Sequence, residues 1–294
     1  MRNIIIFSLA LIFMTIPFLG CSKNPSDSTD NSARELMLVY SCDADGDGDI
    51  YIQNPIGATP LKLTDNDCDD WDPFLSPNCD MIVYETMCNW VTCPCLYTMG
   101  IEGENSQFLI FDGHASEGCF NMEDGVGIAY YSNNWGTYMY LYTISNDGEN
   151  KYRVIDEMTH SFPSGLSWYG NWIAFCDYEG GISLYDFQDG TVTQITEDGQ
   201  WPAFSPDGSQ IAFVNHNDIF IINRDGSNEI QIDIERYFIG DLTWSPDGKY
   251  IFYGHYSGIN KINVETEVDS TVLDDYEYYP SVHYSHPSVG YATN

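Results

Sequence analysis

A short apolar segment that returns roughly every forty residues constrains this chain more than any other feature. It reads Leu38-Val39-Tyr40, Ile82-Val83-Tyr84, Ile128-Ala129-Tyr130, Ile173-Ala174-Phe175, Ile211-Ala212-Phe213 and Ile251-Phe252-Tyr253, with a degenerate seventh copy at Gly290-Tyr291-Ala292. Successive copies lie 44, 46, 45, 38, 40 and 39 residues apart, the period of a four-stranded propeller blade. One such unit cannot bury its apolar face alone, so copies must stack. A second β-branched or aromatic stretch follows most copies, such as Asp49-Ile50-Tyr51-Ile52 and Ile182-Ser183-Leu184-Tyr185. Asp147-Gly148, Asp189-Gly190 and Asp225-Gly226 then supply the positive-φ position of a tight turn. Short third strands such as Lys62-Leu63-Thr64 and Gln194-Ile195-Thr196 come next, and no long helical pattern competes. The reading is an all-β body.

Two turns are best preserved, Phe204-Ser205-Pro206-Asp207-Gly208 and Trp244-Ser245-Pro246-Asp247-Gly248, each leading into the next apolar segment. Here the sequence resembles the TolB-type propeller repeat, and the resemblance spans residues 36–294. Leu75-Ser76-Pro77-Asn78 keeps part of the turn, and the copies near Met122 and Tyr169 have lost it. The resemblance implies that the strand before each turn is the innermost of its blade. Six can be placed, near Phe74, Phe120, Leu166, Ala203, Thr243 and His283, which implies a six-bladed β-propeller of four-stranded blades. The chain opens on a second strand and closes on an inner one, so both termini must share the last blade. Either Leu36 to Ser41 or Val289 to Thr293 takes the second position there, and one strand is left over.

The N-terminal 1–20 segment reads as a secretory signal, with Arg2 at its positive start and an apolar run from Ile4 to Leu19. Its end, Phe18-Leu19-Gly20-Cys21, resembles the bacterial lipobox, which implies acylation of Cys21; Ser22 in place of aspartate implies outer-membrane sorting, facing either the periplasm or the cell surface. Residues 21–35 are Ser, Asn, Asp and Thr with little apolar content, a flexible tether with a reach on the order of 20 Å. The net charge of −34 repels phosphate backbones and anionic lipids, which excludes nucleic acid as a partner and leaves the lipid as the only membrane link. A monomer is expected.

Eight cysteines remain beyond Cys21, and in an oxidising compartment disulfides are favoured over zinc. Propeller geometry places outer-to-inner and second-to-third connections on one face, the top. Cys42, Cys88, Cys93, Cys95 and Cys176 fall in or beside second-to-third loops, and Cys68 and Cys119 in outer-to-inner loops, so these seven are the disulfide candidates, with pairing open. Only Cys79 falls below. The top also carries Asp43, Asp45, Asp47 and Asp49, alternate carboxylates around glycines. They are the donor set of a weak calcium site, or else the Asp-Gly turn that TolB-type repeats place here. Trp90 and Trp135, in long polar top loops, suit a protein or sugar partner.

No nucleophile elbow, paired-histidine zinc helix or phosphate-cradling glycine loop is present. The favoured function is a cell-envelope module that binds a protein or glycan of the envelope or cell exterior through its top loops. The alternative is a metal-dependent lyase or lactonase at the central opening, where Asp72, Ser161, Trp201 and Asp241 stand at inner-strand starts.

Overall fold

Six of the seven recurring apolar segments form the second strand of a four-stranded antiparallel sheet, buried on both faces between its neighbours, and the degenerate copy at Gly290-Tyr291-Ala292 lies at the end of an inner strand. The computed structural model describes residues 35–43, 46–88, 93–156, 164–234, 240–255, 258–274 and 284–292. Residues 1–34, which include Cys21 and the expected leader, and also Asp45, Trp90 and Ser161, lie outside the described residues.

The first blade holds β1 (Leu36–Cys42), β2 (Asp49–Gln53) and β3 (Leu61–Lys62). The second holds β4 (Cys68–Leu75), β5 (Met81–Cys88), β6 (Cys95–Gly100) and β7 (Gln107–Ile110). The third holds β8 (Ala115–Phe120), β9 (Ile128–Ser132), β10 (Tyr140–Ile144) and β11 (Lys151–Arg153). The fourth holds β12 (Leu166–Tyr169), β13 (Trp172–Cys176), β14 (Ile182–Asp186) and β15 (Thr191–Gln194). The fifth holds β16 (Gln200–Phe204), β17 (Gln210–Asn215), β18 (Asp218–Asn223) and β19 (Ile230–Ile232). The sixth holds β20 (Gly240–Trp244), β21 (Tyr250–His255), β22 (Gly258–Asn263) and β23 (Asp269–Asp274). The chain then returns through β24 (Tyr284–Tyr291) to the inside of the first blade, whose order is β24-β1-β2-β3.

The inner strands β4, β8, β12, β16, β20 and β24 each touch the next, and β24 touches β4, so the ring is closed. The inner strands expected near Phe74, Phe120, Leu166, Ala203 and Thr243 are β4, β8, β12, β16 and β20; His283 lies outside the described residues, and the sixth inner strand is β24, beginning at Tyr284. Among the described residues no strand is left over. Tyr284 to Tyr291 is one inner strand, with Val289 opposite Leu38 and Tyr291 opposite Leu36, and β1 holds the second position.

The Ser-Pro-Asp-Gly turn is specified by its side chains. Ser205 Oγ accepts the amide of Gln210 at 3.0 Å and donates to Asp207 Oδ1 at 2.7 Å, while Asp207 Oδ1 also takes the amide of Ser209 at 3.0 Å. Gly208 closes the turn at φ 68°. Ser245 and Asp247 repeat these contacts. In the second blade Ser76 keeps the role, accepting the amide of Met81 at 2.9 Å, and Cys79 takes the left-handed place at φ 58°. Between blades, Leu38, Ile82, Ile128, Ile173, Ile211 and Ile251 are all 0% exposed, and each such side chain contributes about 1.5–3 kcal/mol of burial.

One disulfide, Cys68–Cys88, joins the top ends of β4 and β5 with a Cα separation of 4.3 Å. Cys119 corrects its loop placement: it lies inside β8, buried in a cluster with Tyr131 and Trp168, because β8 begins at Ala115, earlier than the turn alone suggests. Cys95, Cys119 and Cys176 stand as thiols. Burial pushes the Cys95 thiol up to about 11 and that of Cys176 up to about 12. The Cys42 side chain is buried and that of Cys93 half-buried.

Candidate functional site

Inner strands of a narrow ring crowd one another unless the backbone is re-aimed, and a bulge does this. The register of β4 shifts between Trp71 and Phe74, that of β8 between Ser116 and Cys119, that of β16 between Gln200 and Ala203, and that of β20 between Gly240 and Leu242. At each bulge one residue is left-handed: Asp72 (φ 50°), Glu117 (φ 59°), Trp201 (φ 51°) and Asp241 (φ 40°), with Gly165 (φ 76°) at the matching place before β12. Non-glycine residues hold this conformation at a cost of about 1–2 kcal/mol each. These five line a central cavity of ≈ 60 Å³ that all six inner strands enclose, Pro287 of β24 among them. The channel is narrow and acidic.

Behind it, Glu85 on β5 accepts the amide of Glu117 at 2.6 Å. Burial, then the negative charge of Asp72 and a hydrogen bond shared with it, hold the Glu85 carboxyl well above the usual carboxylate range. Asp72 and Glu117 face the opening, and Glu85 lies behind them.

Beside the channel on the top face lies a groove of ≈ 610 Å³, lined by Asp198, Gln200, Trp201, Asn215, His216 and Asn217 with several glycines. Trp201 belongs to both cavities. Its amide bonds the Ser164 carbonyl at 2.8 Å, and Gly165 leaves it room: a Cβ there would lie 2.8 Å from Trp201 Cα. His216 (φ 50°) and Asn217 (φ 70°) form the two-residue hairpin between paired Asn215 and Asp218, the geometry of a primed turn that sets side chains on the rim. An indole wall with an imidazole, amides and one carboxylate offers apolar contact and hydrogen bonds, but no nucleophile paired with a base.

The expected site residues fall elsewhere on the same face. Trp135 is 66% exposed at the top of the third blade. Asp43 and Asp47 are half-buried in the acidic loop. Asp49 is 0% exposed; its carboxylate pairs with Lys62 Nζ at 2.8 Å and accepts Thr64 Oγ1 at 3.2 Å. Among the described residues no group of three or more His, Cys, Asp or Glu side chains is arranged to hold a metal ion. The groove escapes sequence reasoning because its residues come from four separated stretches, 180, 198–201, 214–217 and 240. Of the expected inner-strand starts, Asp72, Trp201 and Asp241 do line the channel, and Glu117 and Gly165 complete the lining.

A closed ring of six such blades, entered by both termini, is a six-bladed β-propeller of the TolB-like type. TolB from Acinetobacter baumannii aligns with a TM-score of 0.70 at 14% identity, covering 86% of this chain and 66% of that one. A chain from a nidogen/laminin complex aligns at 0.70 with 10% identity, covering 88% of this chain and all of that one, 100%. An oligogalacturonate lyase in complex with manganese aligns at 0.56 with 11% identity, covering 81% and 74%. At these identities the likeness is one of fold. Residues 176–236 match the family model for the dipeptidyl peptidase IV (DPP IV) N-terminal region. No curated protein matches the sequence.

Proposed function

We propose that this protein is a cell-envelope binding module, anchored by lipid at Cys21, that engages a protein partner through the groove on its top face. The observation that carries the reading is the groove itself, ≈ 610 Å³ opening beside Trp201 and large enough to admit a loop or chain segment of a partner. The TolB-like fold and the fold likeness to a chain from a two-protein complex support it, though fold alone never fixes function. The Cys68–Cys88 disulfide supports an oxidising compartment outside the cytoplasm.

The lyase alternative draws on the likeness to a manganese-bound enzyme. The residues do not fit the metal: the described carboxylates of the channel form no ligand group, and a net charge of −34 opposes approach of a polyanionic sugar. We therefore favour binding.

The test is capture from envelope extract by the lipid-free body, compared with a Gln200→Ala, His216→Ala double variant. Both positions are exposed, so the fold persists. A protein captured by the wild type and lost with the variant supports the groove; equal capture by both rejects it.

A further inference from the structure

The loop between β9 and β10 holds an indole out in water at a conformational cost. Trp135 is 66% exposed, and it and Asn134 are consecutive left-handed residues at φ 63° and 45°. Asparagine tolerates that region, but Trp135 carries its penalty. Left to itself, so large an apolar side chain gains by folding inward.

Several bonds hold it out. The Trp135 amide donates to the Asp112 carbonyl at 3.1 Å and to Asn133 Oδ1 at 3.0 Å. The same Asn133 Oδ1 accepts the His114 amide at 3.1 Å. The Asn134 amide donates to Ser132 Oγ at 2.9 Å, and Ser132 donates to the buried Asp112 carboxylate at 2.7 Å. Lys151 pairs with Asp112 and reaches Asn134 Oδ1 at 3.3 Å. Phe111 meets the indole edge to face, centroids 4.8 Å apart at 85°. The ring is thus fixed before any ligand arrives, so binding loses little side-chain entropy.

The surroundings select the occupant. Asn133, Asn134, Gly136 and Thr137 neighbour Trp135 in the loop, and Tyr138, 50% exposed, is its other exposed ring; aromatic rings spaced among small and polar residues differ from the contiguous apolar patch that a protein interface needs. A flat apolar face in a loop of side-chain amides and a hydroxyl matches a pyranose, whose C–H face stacks on the indole while its hydroxyls bond the rim. The net charge of −34 selects against acidic sugars. We infer that Trp135 is the stacking platform of a second site, separate from the groove, for a neutral pyranose of a glycan.

The test is calorimetric titration of the lipid-free body with the neutral hexasaccharides of β-glucan, xylan, mannan and chitin. The variants are Trp135→Asn, which tolerates the left-handed turn, and Trp135→Phe, which keeps a flat ring. At least one hexasaccharide binds the wild type; Trp135→Asn weakens it about tenfold or more and Trp135→Phe less. The groove variant binds that sugar as the wild type does, so failure of either proposal is read separately. No binding by any of the four up to about 10 mM, or equal binding by Trp135→Asn, overturns the inference, as does a protein partner that depends on Trp135.

Discussion

Leu75 in β4 donates its backbone amide to Ser288 Oγ in β24 at 2.9 Å, across 213 residues of sequence. That bond joins the second blade to the C-terminal strand that completes the first, at the point where the ring closes. Gly290 makes the approach possible, since a Cβ there would stand 2.6 Å from Leu75 Cδ2 and 2.7 Å from Cys79 Sγ. Gly290→Val therefore overpacks the closure at a cost of about 2 kcal/mol, which lowers Tm by about 4–8 °C. A thermal melt at the wild-type temperature would show that the ends do not lock the ring.

Glu85 makes stability depend on pH in a defined direction. Its folded-state carboxyl lies well above the ordinary value of 4.5, so between those values the folded state binds the extra proton. Stability contributed there is fully present below 4.5 and is lost as pH rises toward the folded value, at about 1.4 kcal/mol for each pH step of one. Glu85→Gln keeps an acceptor for Glu117 and carries no charge. The difference in Tm, variant minus wild type, grows as pH rises from 4.5; parallel curves would contradict the assignment.

The Cys68–Cys88 bridge closes a loop of 20 residues in sequence separation. Constraining the unfolded chain by that much contributes about 3 kcal/mol. Reductant should lower the wild-type Tm and leave a Cys68→Ser, Cys88→Ser variant unchanged. An equal response in both would place the effect on another cysteine.

In the acidic loop, Asp49 serves the fold. Asp49→Ala leaves Lys62 and Thr64 without their buried acceptor and costs about 2–4 kcal/mol in any buffer. Calcium held by Asp43, Asp45 and Asp47 predicts a separate effect, a rise of about 2–5 °C in millimolar calcium over chelator. That rise disappears in Asp43→Ala, Asp47→Ala. The same rise in both proteins would assign it to the acidic surface as a whole.

The blades are legible in the sequence because their signals are local. Ser205, Asp207 and Gly208 specify a turn within four residues, and the covered positions of the second strands are mostly apolar, with Ser41, Glu85, Thr86 and Ser132 buried polar residues among them. The channel is legible only in part, because a bulge leaves no trace in apolar alternation: Glu117 reads as one more polar residue, and only its φ of 59° and its amide bond to Glu85 show its role. The surplus strand of the first blade has the same origin. Two apolar stretches flank His286 and Pro287, and a register shift opposite Val39 and Ser41 carries them through one continuous strand. The groove is legible least of all: residues 200–201 and 215–217 meet by strand pairing within the fifth blade, but Gly180 of the fourth blade and Gly240 of the sixth join them only after three blades have packed.

The central claim is that partners dock on the top face at the groove. A photoreactive amino acid placed at His216, on the groove rim, tests it against the same group at Asp189, in the turn between β14 and β15 on the opposite face. Irradiation in intact envelopes should yield a defined protein adduct from position 216 and none from position 189. An adduct from 189 alone, or none from 216, would contradict the account.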